Sequence, residues 1–312
     1  MTLPTPILFC IFNRPALTRQ VFEAIRHQRP QTLLVVQDGP RADRKGEADR
    51  VDETRRILEE VDWDCDVRTN FANENLGCKQ RMASGISWGF DQFERLIILE
   101  DDCLPSESFF GFSESLLNRF DENERVMMIS GDNFLPKSHS PHSYYFSKWT
   151  HIWGWASWRR AWRKFDLEMS DWPDVRESAW LESLCCDEAE LEHWNSIFDR
   201  QHAGLIDTWD YSWMYNCWRH NGLTVLPHRN LVTNIGFGDS ATHTLDVTSP
   251  LANMPRREMG RLLHPAQAIR NVDADAYSWS QVFKPRPMLE AFRPSKTTNW
   301  RNWWHRIRRA AS

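Results

Sequence analysis

Three consecutive carboxylates stand directly after a short apolar run, and they are the residues of this chain best suited to bind a metal ion. They are Glu100, Asp101 and Asp102, and they follow the apolar residues 96–99. A run of this kind is typical of a strand buried on both faces of a parallel sheet. Ligands of open α/β sheets bind beyond the carboxyl ends of the strands. Since adjacent carboxylates repel each other, the triplet indicates a hard divalent cation, Mn²⁺ or Mg²⁺. The alternative is a solvated acidic turn.

Polar residues also follow other apolar runs of the chain. Asn13 and Arg14 follow the run 6–12, and Asp38 follows the run 32–37. Side chains placed in this way meet at one edge of a sheet, as in a nucleotide site. Neither Gly-x-Gly-x-x-Gly nor a P-loop motif is present, which argues against a dinucleotide fold and a P-loop enzyme.

Without a phosphate-binding glycine loop, a bound diphosphate would need a metal ion and basic side chains. Arg14, Lys79 and Arg81 are the candidates, and for each the alternative is a solvated helix face. Two further candidates come late in the chain. Asp210 stands near the start of a predicted helix, where it is either a cap or a catalytic group. His243 lies in a polar, glycine-punctuated loop that offers it no apolar face.

The elements that must position these residues alternate regularly. The order β-α-β-α-β-α-β over the first 100 residues predicts a doubly wound, mostly parallel sheet with helices on both faces. The predicted strands cover residues 6–12, 32–37, 65–69 and 96–99, and the predicted helices 15–27, 47–61 and 78–93. Further on, we predict helices over 108–120 and 209–220, strands over 126–129 and 223–226, and a loop over 136–147.

Tryptophan is unusually frequent, with 17 residues in the chain. Five of them lie between positions 149 and 162. This cluster predicts either an aromatic floor for a sugar ring or a tightly packed core, and both can hold together.

Composition narrows the class of protein. The chain has 312 residues, 41% of them hydrophobic and 26% charged, as in ordinary globular proteins. A net charge of −5 argues against a nucleic-acid partner. The seven scattered cysteines, without a Cys-x-x-Cys pair, indicate reduced thiols and a cytoplasmic location. The first residues have no basic region, and their apolar run is too short for a signal peptide or a membrane span.

Several short motifs in order resemble the GT-A-fold nucleotide-sugar glycosyltransferases, and among them the N-acetylglucosaminyltransferase I family. They are Asn-Arg-Pro after the first strand, Gln-Asp-Gly after the second, Glu-Asp-Asp, the Gly-Trp segment, Trp-Asp followed by Trp-Met, and Phe-Gly followed by His, over residues 6–244. The resemblance implies a Rossmann-like three-layer α/β/α domain and a role for seven residues. Asp102 would bind Mn²⁺, Glu100 and Asp101 would contact donor sugar and ribose, Asp38 would read the uracil, Arg14 would lie near the nucleotide, Asp210 would be the catalytic base, and His243 would lie near metal and diphosphate.

Three departures from that family stand out. The family has Trp-Asp-Asp-Trp, whereas residues 209–213 carry one acid and one additional residue, which weakens the assignment of the base; Asp239 is the next candidate. A ribose-contacting histidine expected on the helix before the triplet is replaced near Gly85. The usual membrane anchor of the family is not found.

The function expected from these residues is metal-dependent transfer of a hexosyl or N-acetylhexosaminyl group from a UDP-linked donor to a hydroxyl acceptor, with inversion. A carbohydrate or lipid-linked acceptor in polysaccharide or glycoconjugate synthesis fits this expectation. One alternative is a sugar nucleotidyltransferase, although those enzymes usually carry a glycine-rich basic loop after the first strand. The other is a catalytically inactive carbohydrate-binding protein.

The chain divides into a predicted catalytic domain, residues 1–245, and a C-terminal arm, residues 246–312. The prolines and mixed polarity of the arm up to Pro294 predict an irregular structure. The end of the arm carries Trp300, Trp303, Trp304 and Ile307 on one helical stripe, with arginines off that stripe. This pattern is typical of a helix in a membrane interface and suggests peripheral contact with the inner face of the membrane. The alternative is packing of the tryptophans on the catalytic domain or on a partner subunit.

Overall fold

The structure is a computed structural model, and it describes residues 3–135, 140–237 and 251–285. Its helices and strands are listed here in chain order, with labels that are kept below: β1 (Ile7–Ile11), α1 (Pro15–Gln28), β2 (Thr32–Gln37), α2 (Glu47–Arg56), β3 (Asp66–Phe71), α3 (Gly77–Gln92), β4 (Arg95–Glu100), β5 (Cys103–Pro105), α4 (Glu107–Arg119), β6 (Val126–Ser130), β7 (Tyr144–Ser147), β8 (Trp155–Trp158), α5 (Arg159–Trp162), α6 (Trp172–Arg176), α7 (Glu188–His202), α8 (Asp210–Arg219), β9 (Leu223–Pro227), β10 (Val232–Asn234) and α9 (Val272–Ser278).

An eight-stranded sheet forms the centre of the described chain, in the order β3-β2-β1-β4-β8-β6-β9-β7. Strands β3, β2, β1 and β4 are parallel to one another, and β1 has β2 and β4 as its neighbours. Strand β8 runs antiparallel to both β4 and β6, β9 is parallel to β6, and β7 is antiparallel to β9. Six of these eight strands therefore share one direction, which confirms the predicted mostly parallel α/β architecture.

Helices cover both faces of the sheet, because the strand side chains alternate between two apolar cores. Phe9 of β1 packs in one core with Phe22 of α1 and Leu116 of α4. Its neighbour Leu8 packs in the other core with Ile86 of α3 and with α8. These are the three layers expected from the sequence.

Helix α3 approaches the sheet closely through a glycine. A Cβ atom on Gly85 would lie 2.5 Å from Cγ1 of Val36 in β2. Gly85, near which the sequence resemblance led us to expect a ribose-contacting histidine, therefore faces the sheet and has no room for a side chain.

Most tryptophans of the central cluster belong to the cores. Trp149, Trp155, Trp158 and Trp162 are buried, and only Trp153 of the five is half-buried. A separate aromatic cluster, defined by Trp149, Trp172, Trp194, Trp218 and Trp279, joins α6, α7, α8 and the residues after α9. The cluster at 149–162 is thus mainly core, with one ring left at the surface.

Three sequence predictions need correction. The loop predicted over 136–147 contains the edge strand β7, which pairs with β9. The helix predicted over 47–61 ends at Arg56 and continues as a 3₁₀ turn, Ile57–Glu60. The arm predicted to be irregular contains α9, whose N-cap Asn271 accepts a hydrogen bond from the Ala274 N–H at 3.0 Å.

The described part of the arm lies along the edge of the sheet at β7. The Asn271 N–H donates to the Phe146 carbonyl at 2.7 Å, and the Ser143 N–H donates to the Leu263 carbonyl at 2.8 Å. Within residues 3–135, 140–237 and 251–285, no helix has the length and apolar character needed to cross a membrane. The tryptophan- and arginine-rich segment near residue 300 lies outside the described residues.

Candidate functional site

Arg14 and the acidic triplet meet at the carboxyl ends of β1 and β4, which are neighbouring strands. The Arg14 guanidinium donates to Asp102 Oδ2 at 3.0 Å through Nη1 and to Asp101 Oδ1 through Nη2. The Phe12 N–H donates to the other oxygen of Asp101 at 3.1 Å. The triplet is therefore no solvated turn: Asp101 and Asp102 are buried and paired with an arginine.

Glu100 is the least compensated member of the triplet. Burial, together with the charges of Asp102 and Asp101, raises the pKa of Glu100 to about 8. Burial also raises the pKa of Asp101, although Arg14 opposes the shift. Because Arg14 is the one cation among the described residues that pairs with these three carboxyl groups, the site favours an additional positive charge.

Asp38, at the carboxyl end of β2, is bonded to the segment that leads into α3. Its carboxylate accepts from the N–H groups of Gly39 and Leu76 at 2.9 Å and of Gly77 at 3.1 Å. The Asn75 side chain adds a fourth bond at 3.0 Å. Burial raises the pKa of Asp38 despite these donors. Asp38 thus holds the start of α3 beside the end of β2.

A cavity of about 250 Å³ lies between these strand ends and α3. Its lining includes Asp38, Asp101 and Glu100, and its basic residues are Arg14, Arg41 and Arg81. Lys79 does not reach this cavity, because its ammonium group pairs with Glu168 at 3.1 Å. Of the three basic candidates from the sequence, the structure therefore places Arg14 and Arg81 at the cavity.

A second cavity of about 280 Å³ adjoins the first and shares Arg14, Cys78 and Glu100 with it. Asp102 and Asp210 both belong to its lining. Asp210 is the first residue of α8, the N-cap position is Trp209, and the Thr208 hydroxyl donates to Asp210 Oδ1. The structure thus brings together Asp102, which follows β4, and the predicted base, which are more than 100 positions apart in the sequence.

The segment after β10 passes directly over Asp102. The Ile235 N–H donates to the Asp102 carbonyl at 2.8 Å, and Gly236 is so close to the Asp102 carboxylate that a Cβ atom would not fit. This approach explains the glycine at that position. His243 and Asp239, which follow on the same segment, lie outside the described residues, and their roles stay predictions.

The donor atoms suit a hard cation, but the described side chains do not complete its coordination. No group of three or more His, Cys, Asp or Glu side chains in the described ranges converges as a metal site. Asp102 would supply one carboxylate ligand, and phosphate and water oxygens would supply others. The described side chains would therefore complete the coordination of such an ion only together with a bound phosphate ligand and water.

Three polar residues that line the two cavities were not among the sequence candidates: Arg41, Asp207 and Asn234. Asp207 accepts from the Lys79 N–H at 3.0 Å and helps to fix the start of α3. Its signal was its position three residues before Asp210. Arg41 and Asn234 lie in ordinary polar segments, and nothing in their spacing distinguishes them.

No protein-family model matches the chain, and no curated protein sequence matches it. Among solved structures, a cytidylyltransferase from Leptospira borgpetersenii is similar with a TM-score of 0.32 and 11% identity, covering 66% of this chain and 73% of that one. A 4-diphosphocytidyl-2C-methyl-D-erythritol synthase from Anaerococcus prevotii has a TM-score of 0.32 and 13% identity, with 62% and 84% covered. A UDP-glucose pyrophosphorylase bound to UDP-glucose has a TM-score of 0.26 and 12% identity, with 45% and 62% covered.

Proposed function

We propose that this protein is a metal-dependent glycosyltransferase that moves a sugar from a nucleotide-diphosphate sugar, UDP-linked, to a hydroxyl group of a carbohydrate or lipid-linked acceptor. The observation that carries the proposal is the convergence of Arg14, Asp38, Asp102 and Asp210 on two adjoining cavities at the carboxyl ends of parallel strands. This is where open α/β sheets bind nucleotides.

One cavity would bind the nucleotide part of the donor, and the other would bind the acceptor. Each is slightly smaller than the roughly 300 Å³ at which pockets for drug-sized ligands begin, so each suits one ring of a larger ligand. The cavity with Asp38, Arg41 and Arg81 offers a carboxylate and two guanidinium groups to a nucleoside and its phosphates. The cavity with Asp210 is then left for the acceptor. The diphosphate would lie where the two meet, beside Arg14.

Asp102 would hold a Mn²⁺ or Mg²⁺ ion together with the diphosphate oxygens, and His243 is the further ligand that the sequence suggests. When bound, the ion would neutralise the charge of the leaving diphosphate. Arg14 would orient the leaving diphosphate, because hydrogen bonds to Asp101 and Asp102 hold its guanidinium group in place.

Asp210 would act as the general base. Its carboxylate takes the proton of the acceptor hydroxyl while that oxygen forms a bond to the anomeric carbon and the bond from this carbon to the diphosphate oxygen breaks. One displacement of this kind inverts the anomeric centre. The products are the glycoside, a nucleoside diphosphate and protonated Asp210, so atoms and charge balance.

A panel of nucleotide sugars tests the proposal. The full chain should release a nucleoside diphosphate from one of them with Mn²⁺ or Mg²⁺ and should stop with EDTA. Asp102→Ala should abolish metal-dependent nucleotide binding, while a variant of an exposed acid, Asp91→Ala, should not. Release of pyrophosphate from a nucleoside triphosphate and a sugar phosphate would instead indicate a sugar nucleotidyltransferase. Equal UDP affinity with and without EDTA would contradict the metal-dependent mechanism.

A further inference from the structure

One aromatic ring of the cavity that contains Asp210 has no part in the function proposed above. This ring belongs to Trp153, which lines the cavity with Asp102 and Asp210. It is half-buried, unlike the other tryptophans between positions 149 and 162. A large apolar surface that remains partly exposed inside a polar cavity is typical of a ligand-binding wall.

Two phenylalanine rings make edge-to-face contacts with the Trp153 indole. The ring centroid of Phe134 lies 5.0 Å away at an interplanar angle of 66°, and that of Phe237 lies 5.7 Å away at 90°. Such edge contacts are attractive because the positive edge of one ring meets the negative face of the other. Neither phenylalanine stacks flat on the indole.

The backbone of Trp153 is held by a buried acid. Asp132 follows β6, and its Oδ2 atom accepts from the Trp153 N–H at 3.0 Å. Gly154, the residue after Trp153, is also fixed, because its carbonyl accepts from the Gly131 N–H at 2.7 Å. Asp132 is fully buried, and its second oxygen, Oδ1, has no hydrogen-bond partner in the part of the chain that the structure describes. Burying an unpaired carboxylate oxygen costs folding free energy. We infer that Asp132 serves to position Trp153 and not to stabilise the fold.

His151 lies behind the same wall. Its ring stacks on Phe134 with centroids 4.3 Å apart, and neither of its buried nitrogens has a hydrogen bond of normal geometry, although the Asp132 carbonyl is near. Unpaired polar atoms are few in natural proteins, and here three of them lie in two residues next to one cavity wall. This concentration is typical of a functional site.

On the basis of the function proposed above, we propose that Trp153 is the surface on which a pyranose ring of the acceptor stacks, and that Asp132 is the positioning residue that fixes it. The apolar C–H face of a pyranose packs on an aromatic ring, and its hydroxyls would meet Thr208, Asp210 and Asn234 of the same lining. The acceptor hydroxyl would then lie beside the base that must deprotonate it. The substrate class of this cavity is therefore a sugar ring.

The test uses the full chain and methyl glycosides of glucose, galactose, mannose and N-acetylglucosamine, titrated by saturation-transfer NMR with and without UDP. One glycoside should bind to the wild type, and Trp153→Leu should raise its Kd about tenfold while the Kd of UDP stays within twofold. Trp63→Leu is the matched control, because Trp63 is half-buried, packs near Phe22 and lines neither of the two cavities. It should change neither constant.

A second pair of variants separates positioning from folding. Asp132→Asn keeps a side-chain oxygen for the Trp153 N–H and should retain glycoside binding, whereas Asp132→Ala should lose about tenfold. Thermal melting and UDP binding show that each variant is folded. Two outcomes would overturn the role of Trp153 and leave the proposed function standing. One is glycoside binding that is unchanged in Trp153→Leu, and the other is UDP binding without binding of any glycoside. If glycosides bind in a Trp153-dependent manner but no nucleotide binds, the role of Trp153 is supported and the proposed transferase function is overturned. The absence of both would overturn both.

Discussion

The two halves of the central sheet are built differently. Strands β3, β2, β1 and β4 are parallel and are linked by α1, α2 and α3 in a regular alternation. Strands β8, β6, β9 and β7 run in mixed directions, and none of them is adjacent in the sheet to the strand that precedes it in the chain. The first half buries mainly aliphatic strands, whereas the second half leads into the aromatic cluster around Trp149 and Trp194.

This difference decides how each half contributes to the site. Arg14, Asp38 and Asp101 each come within three residues of the end of a parallel strand, so the sheet itself places them. Asp210 and Trp153 come from connections in the second half, and their positions depend on how α8 and the segment before β8 pack. The first half supplies the buried charges, and the second half supplies Asp210 and Trp153, which we propose as the base and as the aromatic wall.

The largest effect is expected at Asp210, where the second half enters the chemistry. Asp210→Asn should leave nucleotide affinity unchanged and lower transfer by ~10² to 10⁴-fold, or about 3–5 kcal/mol of barrier, because a general base typically contributes that much. Single-turnover kinetics with the donor found in the panel measures it. Asp273→Asn, in the first turn of α9, is the control for changing an acid at a helix start. Transfer within a few fold of the wild type would remove Asp210 from this role.

The next largest effect tests the charge of the first half. Arg14→Ala should lower the free energy of unfolding by about 3–5 kcal/mol, because removal of one partner leaves buried carboxylates uncompensated. Urea unfolding measures the change. Arg176→Ala is the comparison in the second half: its pair with Asp199 is partly exposed, and its loss should cost about 0–1 kcal/mol. Equal losses for the two variants would contradict the contrast between the halves.

The sequence predicted the first half well because local signals and topology agree there. Strand β2 has the predicted bounds Thr32–Gln37. Helix α1 differs from its predicted bounds by one residue at one end, and α3 differs by one residue at each end. Apolar runs identify strands that are buried on both faces, and turn residues mark where they end. The polar residues that follow such runs are then candidates for the site without any knowledge of the packing.

The second half was predicted less well because its elements depend on distant partners. Strand β7 has four residues, and its pairing with β9 joins Tyr144 to Pro227 across more than 80 positions. Helix α9 has an Asn271 cap but no apolar period, and its Val272 is exposed. Similarly, no local signal distinguished Trp153 from the buried tryptophans beside it. Asp210 was predicted to be the base only through the resemblance to GT-A-fold glycosyltransferases.

A smaller effect concerns how closely α3 lies on the first half. Gly85→Ala should lower the free energy of unfolding by about 1–3 kcal/mol, since its Cβ would lie 2.5 Å from Val36 Cγ1. Gly111→Ala is the matched control in α4, where no atom lies within 4 Å of the added Cβ. It should raise the free energy by about 0.5–1 kcal/mol, as expected for glycine in a helix interior. Thermal and urea unfolding of both variants should give opposite signs.

The smallest effect is a dependence of stability on pH that arises in the first half. Glu47 is buried at the start of α2, where it accepts from the Arg41 N–H at 2.7 Å and from the Asn13 amide at 2.9 Å. Its side-chain bond with Arg41 lowers the pKa of Glu47 in the folded protein. A lowered pKa means that this stabilisation is fully present above the unfolded value of about 4.3 and is lost as the pH falls through the folded value.

The difference in melting temperature between the wild type and Glu47→Gln should therefore be largest near neutral pH and should shrink below about pH 4. Glu182→Gln, a change of an acid in the 3₁₀ turn Glu182–Leu184 of the second half, is the control and should show no such trend. Because Arg41 lines the cavity that we assign to the nucleoside, UDP affinity should weaken over the same interval of pH. A melting difference that grows as the pH falls would mean that Glu47 is protonated in the folded protein and does not hold Arg41 as a carboxylate.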